Sequence, residues 1–217
     1  MTDPRPYEAV LFDLLTALLD SWQIWNAVAG DPQVGLRWRN RYLRLTYGQG
    51  GYRPYEDLVA EAAAAEGLDS SLAQQLSARW DELQPWADAP GVLRELAWAG
   101  VAIGVVTNCS DHLGRRAADT VGIPFDVVVT AETAGAYKPR REPYAQALEH
   151  LALPASRVLF VAGSRYDIAG AGQLGMPVWW HNRIGMARGD APAPIAEHDT
   201  LGPLVADVLG PTPPRGR

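Results

Sequence analysis

The chain has 217 residues, 47% hydrophobic and 20% charged, the balance of a globular protein able to bury a full core. Its formal net charge of −6 argues against a nucleic-acid partner, and no apolar run approaches the roughly 20 residues of a membrane span. A single cysteine, Cys109, rules out an intramolecular disulfide, and the first residues lack a basic flank followed by an apolar run, so the cytoplasm is the expected location.

The apolar run Ala9 to Phe12 ends abruptly in Asp13. Such a run predicts a strand buried on both faces, with Asp13 at the carboxyl end where open α/β sheets bind ligands. Leu18, Trp22, Trp25 and Val28 then recur every three or four residues, predicting an amphipathic helix that Gly30-Asp31-Pro32 breaks. A second helix over Leu36 to Leu45 carries Arg37, Arg39, Arg41 and Arg44. Beyond a loop at Gly48 to Pro54, helices are predicted over Tyr55 to Glu66 and Ser70 to Leu83, the latter capped at Asp69 or Ser70. No strand signal occurs between Leu19 and Trp86, so 18–87 reads as a helical cap, with 1–17 and 88–217 forming the core.

The second half alternates strand and helix, the signature of a parallel sheet in an α/β fold. Strands are predicted at Val101–Val106, Asp126–Thr130, Val158–Ala162 and Pro177–Trp180, the last of the chain. Helices are predicted from Pro90 to Trp98, His112 to Val121, Pro143 to Leu151, after Asp167 to Leu174, and Thr200 to Leu209. The Pro-rich tail over 211–217 is predicted to be disordered.

Three strands end in polar groups, Asp13, Thr107-Asn108 and Ser164 with Asp167, while Lys138 arrives on a loop. Parallel strands align their carboxyl ends along one edge, so these groups should converge. Ionised Asp13 would act as nucleophile beside Lys138, Thr107 and Asn108 would bind an anionic part of a substrate, and Asp167 would orient Lys138 or a water. Taken singly, Asn108 also reads as a helix cap, Lys138 as a solvated lysine, and Asp167 as a charge favoured by a helix N-terminus.

Phe12-Asp13, Thr107-Asn108, Lys138-Pro139 and the stretch from Gly163 to Asp167 resemble the four ordered motifs of the haloacid dehalogenase superfamily, across nearly the whole chain. The resemblance implies a Rossmann-like three-layer core with a parallel sheet and a helical cap inserted after the first strand. Superfamily phosphatases carry a second Asp two residues after the nucleophile, where this chain has Leu15. They also carry an acidic Mg²⁺ ligand four residues before the last Asp, where it has Gly163. The branch that dispenses with both is the 2-haloacid dehalogenases, so the resemblance implies a metal-independent hydrolase with no cofactor. Trp38-Arg39 resembles that branch's cap Trp-Arg pair, and Tyr144, six residues after Lys138, matches one of its tyrosines.

The resemblance then implies catalytic roles for Asp13, Lys138, Asp167 and Arg39, and substrate contacts for Leu14, Leu15, Trp38, Thr107, Asn108, Tyr144 and Ser164. Asp13 would attack C2 of a small 2-substituted carboxylate, water would cleave the ester, and Arg39 would take the leaving anion or the substrate carboxylate. By analogy the chain would be a homodimer.

The hydroxyl of Thr16 is displaced by one position from the branch's pattern, Leu15 replaces a tyrosine, and Ser164 replaces an asparagine. These departures keep the leaving group open. A ring-opening enzyme similar to azetidine-2-carboxylate hydrolase would hold a cationic nitrogen over Trp22, Trp25, Trp38 or Tyr166. A Mg²⁺-dependent phosphatase and an inactive binding homologue are further alternatives. Cys109 reads as a small buried hydrophobe, and His181 as a structural or surface histidine. Gly163 to Gly175 fits neither a dinucleotide fingerprint nor a P-loop.

Overall fold

The computed structural model describes residues 5–210. The Pro-rich tail, and residues 1–4 on which part of the N-terminal reading rests, lie outside them. Strand β1 (Ala9–Phe12) leads into four helices, α1 (Ser21–Ala29), α2 (Pro32–Tyr47), α3 (Tyr55–Ala65) and α4 (Ser71–Ala78). Then follow α5 (Ala89–Trp98), β2 (Ala102–Thr107), α6 (Asp111–Thr120), β3 (Val127–Thr130), α7 (Ala131–Ala134) and α8 (Arg141–Leu151). The described residues close with β4 (Val158–Ala162), α9 (Arg165–Gly172), β5 (Val178–His181), β6 (Ala196–His198) and α10 (Leu204–Leu209). None of these helices is long and apolar enough to cross a membrane.

The six strands form one parallel sheet in the order β3-β2-β1-β4-β5-β6. Phe12 is in register with Val105 on one side and Val161 on the other, which brings the ends of β1, β2 and β4 to one edge. The strand order reverses between β1 and β4, the place where doubly wound sheets open a ligand crevice. Side chains alternate across the sheet. Val10, Phe12, Ile103, Val105 and Val161 pack with α5, α6 and α10, whereas Leu11, Val106, Phe160 and Ala162 pack with α8 and α9. The result is the three-layer Rossmann-like α/β fold that the motifs implied.

The first of these clusters runs without a break into the interior of α1 to α4 through Ile24, Trp25, Trp38, Leu58 and Leu76. The block between β1 and α5 is therefore anchored to the sheet layer by apolar burial. Asp31 caps α2 by accepting from the N–H groups of Gln33 and Val34 at 2.8 and 2.9 Å, with Pro32 in the first turn.

Three local expectations change. α1 starts at Ser21, leaving Leu18 in the connection, and α4 stops at Ala78 before a 3₁₀ turn at Trp80–Glu82. Val178–His181 is not the last strand: β6 adds an edge strand of three residues, too short and too exposed to give an apolar run. Helix α7, at four residues, falls below the length at which periodicity is legible.

Candidate active site

Asp13 sits where β1 ends, its N–H still donating to the Val161 carbonyl at 2.9 Å. The chain then folds back over its carboxylate. Oδ2 accepts from the Thr16 N–H at 2.9 Å, the Thr16 hydroxyl at 2.5 Å and the Ala17 N–H at 3.2 Å. Oδ1 accepts from Lys138 Nζ at 2.8 Å. That ammonium lies 3.0 Å from Asp167 Oδ1, so one buried cation serves two buried carboxylates. Asp167 also accepts from the Tyr144 hydroxyl at 2.8 Å and the Ser164 hydroxyl at 3.3 Å.

The loop carrying Lys138 is held by Asn108. Its amide accepts from the Lys138 N–H at 2.7 Å and donates to the Lys138 carbonyl at 3.1 Å. The Asn108 carbonyl in turn accepts from the Tyr42 hydroxyl at 2.8 Å, which links the helical block to the end of β2.

Burial would push the Asp13 carboxyl up, but the Lys138 ammonium and the Thr16 donors outweigh it and hold its pKa below the usual carboxylate value. Asp167 goes the other way, because burial and the Asp13 charge outweigh its share of Lys138. Lys138 is raised: burial opposes its charge, but the two carboxylates overcome that. The environments of the two carboxyls thus push their pKa values apart, the pattern that separates an ionised nucleophile from a proton acceptor.

Arg39, on α2, is only 3% exposed and forms no ion pair among the described residues. Its Nη1 is buried without a hydrogen-bond partner, and its guanidinium lies 3.6 Å from the centre of the Trp22 ring. Burial lowers its pKa to about 10, which leaves it cationic at neutral pH.

Together these groups enclose a cavity of about 50 Å³. On that measure a single ordered water takes roughly 10–15 Å³, so the space suits a molecule of a few heavy atoms. Of the residues expected at the site, Asp13, Leu15, Arg39, Asn108, Lys138, Ser164 and Asp167 line it. Leu14, Trp38, Thr107 and Tyr144 do not. Leu14 and Thr107 are fully buried, Trp38 donates to the Val59 carbonyl at 3.0 Å, and Tyr144 reaches the cavity only through Asp167.

The sequence reading did not place Tyr42, Leu43, Tyr47, Tyr55 or Met186 on the cavity wall, and it noted Thr16 only as a displaced hydroxyl. Arg39, Tyr42, Leu43 and Tyr47 share the i, i+3, i+4, i+8 stripe of α2, a spacing that would have revealed three of them. Cys109 is buried, and burial pushes its thiol up. His181 is fully buried, not at the surface, and its Nδ1 contacts the Ala17 carbonyl at 2.8 Å.

A divalent cation of the phosphatase kind does not fit this donor set. A Cβ on Gly163 would lie 2.1 Å from Thr16 Oγ1, 2.5 Å from Ala17 N and 2.7 Å from Asp13 Oδ2, so a carboxylate carried there would displace the turn that wraps Asp13. Asp13 and Asp167 already share the Lys138 ammonium.

The chain is similar to known hydrolases over most of its length. (S)-2-haloacid dehalogenase H-109 of Pseudomonas putida is 29% identical over 197 residues, spanning 83% of this chain and 88% of that protein. The crystal structure of an L-2-haloacid dehalogenase superposes with a TM-score of 0.83 at 26% identity, covering 93% of this chain and 98% of the other. The fold is shared as well by the L-2-haloacid dehalogenase of Xanthobacter autotrophicus with chloropropionic acid covalently bound, at a TM-score of 0.82 and 23% identity over 94% of this chain and 99% of that one. The family model for haloacid dehalogenase-like hydrolases matches residues 10–181, a span that holds the hydrogen-bond and ion-pair partners given above for Asp13 and Lys138, and this chain belongs to that family.

Proposed function

We propose that the protein hydrolyses a small 2-substituted carboxylate, in the manner of an (S)-2-haloacid dehalogenase, with Asp13 as nucleophile and no metal. The observation that carries this reading is the Lys138–Asp13 contact at 2.8 Å, which keeps the nucleophile ionised. Oδ2 is filled by three donors whereas Oδ1 meets Lys138 alone, so Oδ1 keeps a lone pair for attack. The Oδ1–C2 bond forms as the bond from C2 to the leaving group breaks, and the group departs with its electron pair. Back-side displacement sends it away from Asp13, toward the wall formed by α1 to α3, where Arg39 stands unpaired.

Water then adds to the carboxyl carbon of the Asp13 ester as Asp167 takes one of its protons. The intermediate breaks the bond to the oxygen on C2, and that oxygen takes the proton back from Asp167. The 2-hydroxy acid leaves, and Asp13 gives its remaining proton to solvent, restored as a carboxylate. The raised pKa of Asp167 suits it to that task. Asn108 lines the cavity, and its amide keeps one N–H beyond the bond to the Lys138 carbonyl that suits the substrate carboxylate. Thr16 and the Ala17 N–H hold the nucleophile, while Tyr144 holds the base. On this reading 18–87 is the cap and 1–17 with 88–217 the core. The assay is chloride release from (S)-2-chloropropionate: it should persist in excess chelator and vanish in Asp13→Asn. Mg²⁺-dependent turnover of phosphate esters without halide release would overturn the reading.

A further inference from the structure

Of the tyrosines that line the cavity, three have their hydroxyls occupied. Tyr42 donates to the Asn108 carbonyl, Tyr47 is engaged with Ser164, and Tyr166 accepts from Arg165 at 3.2 Å. Tyr55 differs. It is 1% exposed, lines the cavity, and its hydroxyl is buried without any partner. Its ring is clamped edge-on between Tyr42 at 5.1 Å and Trp80 at 5.9 Å, so the hydroxyl has little freedom to seek one elsewhere.

Leaving a buried hydroxyl unpaired is costly, and such a group in a cavity wall awaits a ligand atom. Among the described residues, Arg39 Nη1 is likewise buried without a partner, and Arg39 lines the same wall. Burial pushes the Tyr55 hydroxyl well above its ordinary value, so it remains a donor at neutral pH, with the Arg39 cation pulling modestly against that shift.

Resting on the reading above, we propose that Tyr55 is a catalytic residue for the first step. Its O–H and Arg39 Nη1–H form a two-donor cradle for the group departing from C2. As the bond to C2 breaks, negative charge builds on that group and both hydrogen bonds strengthen. Neither donor gives up its proton, so the group leaves as a free anion. The site therefore selects leaving groups compact enough to accept two hydrogen bonds at once, chloride before larger halides.

The test is Tyr55→Phe, measured by single-turnover halide release from (S)-2-chloro-, 2-bromo- and 2-iodopropionate together with thermal unfolding. Losing a hydrogen bond to a charged group should slow the chloride reaction about tenfold or more, bromide less and iodide least. Because the hydroxyl has no partner in the free protein, Tm should stay level or rise. Equal slowing across the three substrates, or no slowing, with active wild type would overturn this inference alone. A wild type releasing no halide from any of them would overturn the proposed reaction and the inference with it.

Discussion

Replacing Lys138 with Met removes the one cation between two carboxylates while keeping a side chain of similar length. Lys138 is 3% exposed, at 2.8 Å from Asp13 and 3.0 Å from Asp167. Breaking a buried pair from one side typically costs about 3–5 kcal/mol, because the remaining charge is stranded. Here the cheapest relief is for one carboxyl to bind a proton. With an ordinary pKa of about 3.9, that costs roughly 4 kcal/mol at pH 7 and roughly 1.5 kcal/mol at pH 5. The folded variant would then hold a proton that its unfolded chain lacks, so its stability should fall by about 1.4 kcal/mol per pH unit as pH rises from 5 to 7.

Wild type changes less in that window, since the lowered pKa of Asp13 and the raised pKa of Lys138 keep this pair charged throughout, and only the raised pKa of Asp167 takes stability away as pH rises. The stabilising contribution of Asp13 is complete above the ordinary carboxylate pKa and is lost only as pH falls through its lowered folded value. Urea denaturation of both proteins at pH 5, 6 and 7 should give a stability gap that widens with pH, accompanied by loss of turnover. A gap that is constant, or absent, would refute the clamp reasoning.

Arg39→Met should leave Tm level or raise it, since it replaces a buried cation that has no ion pair among the described residues, and only a ring face and one unpartnered N–H, with an apolar side chain, yet it should abolish halide release. Lost stability with retained activity would contradict the role given to Arg39. Gly163→Ala should cost about 1–3 kcal/mol and reduce turnover, because its Cβ would press on Thr16 Oγ1 and Asp13 Oδ2 at 2.1 and 2.7 Å. Chemical denaturation together with the turnover rate checks this, and a silent substitution would show that the Asp13 turn is not tightly seated.

The fold was legible because an all-parallel sheet writes its strands as short apolar runs, each followed by the polar residues of its carboxyl end. Asp13 and Asp167 could be assigned to one edge from that rule, though not their distances, whereas Lys138 lies on a loop that the rule does not cover. What stayed hidden depended on side-chain direction. Trp38 and Arg39 are adjacent in sequence, but a step of one on a helix turns the side chain by about 100°, so Trp38 packs inside the helical block while Arg39 faces the cavity.

Asn108 was expected to bind substrate, yet most of its amide is spent on the peptide of Lys138, a partner 30 residues away that no local pattern encodes. The turn that wraps Asp13 was likewise unreadable. Thr16 and Ala17 donate through backbone N–H groups that every non-proline residue has, so only the conformation distinguishes them. Nothing in the sequence singled out Tyr42, Tyr47 and Tyr55, whose places on the cavity wall follow from how α2 and α3 pack against the core.

The central claim is that a carboxylate oxygen of Asp13 bonds to C2 and that water later attacks the carboxyl carbon and not C2. A single turnover in ¹⁸O-water, with enzyme in excess over (S)-2-chloropropionate, tests it directly through mass spectrometry of the peptide containing Asp13. The account predicts one ¹⁸O in that peptide and unlabelled oxygen at C2 of the product. Label at C2 with Asp13 unlabelled would mean that water attacks carbon directly, and the role assigned to Asp13 would be wrong.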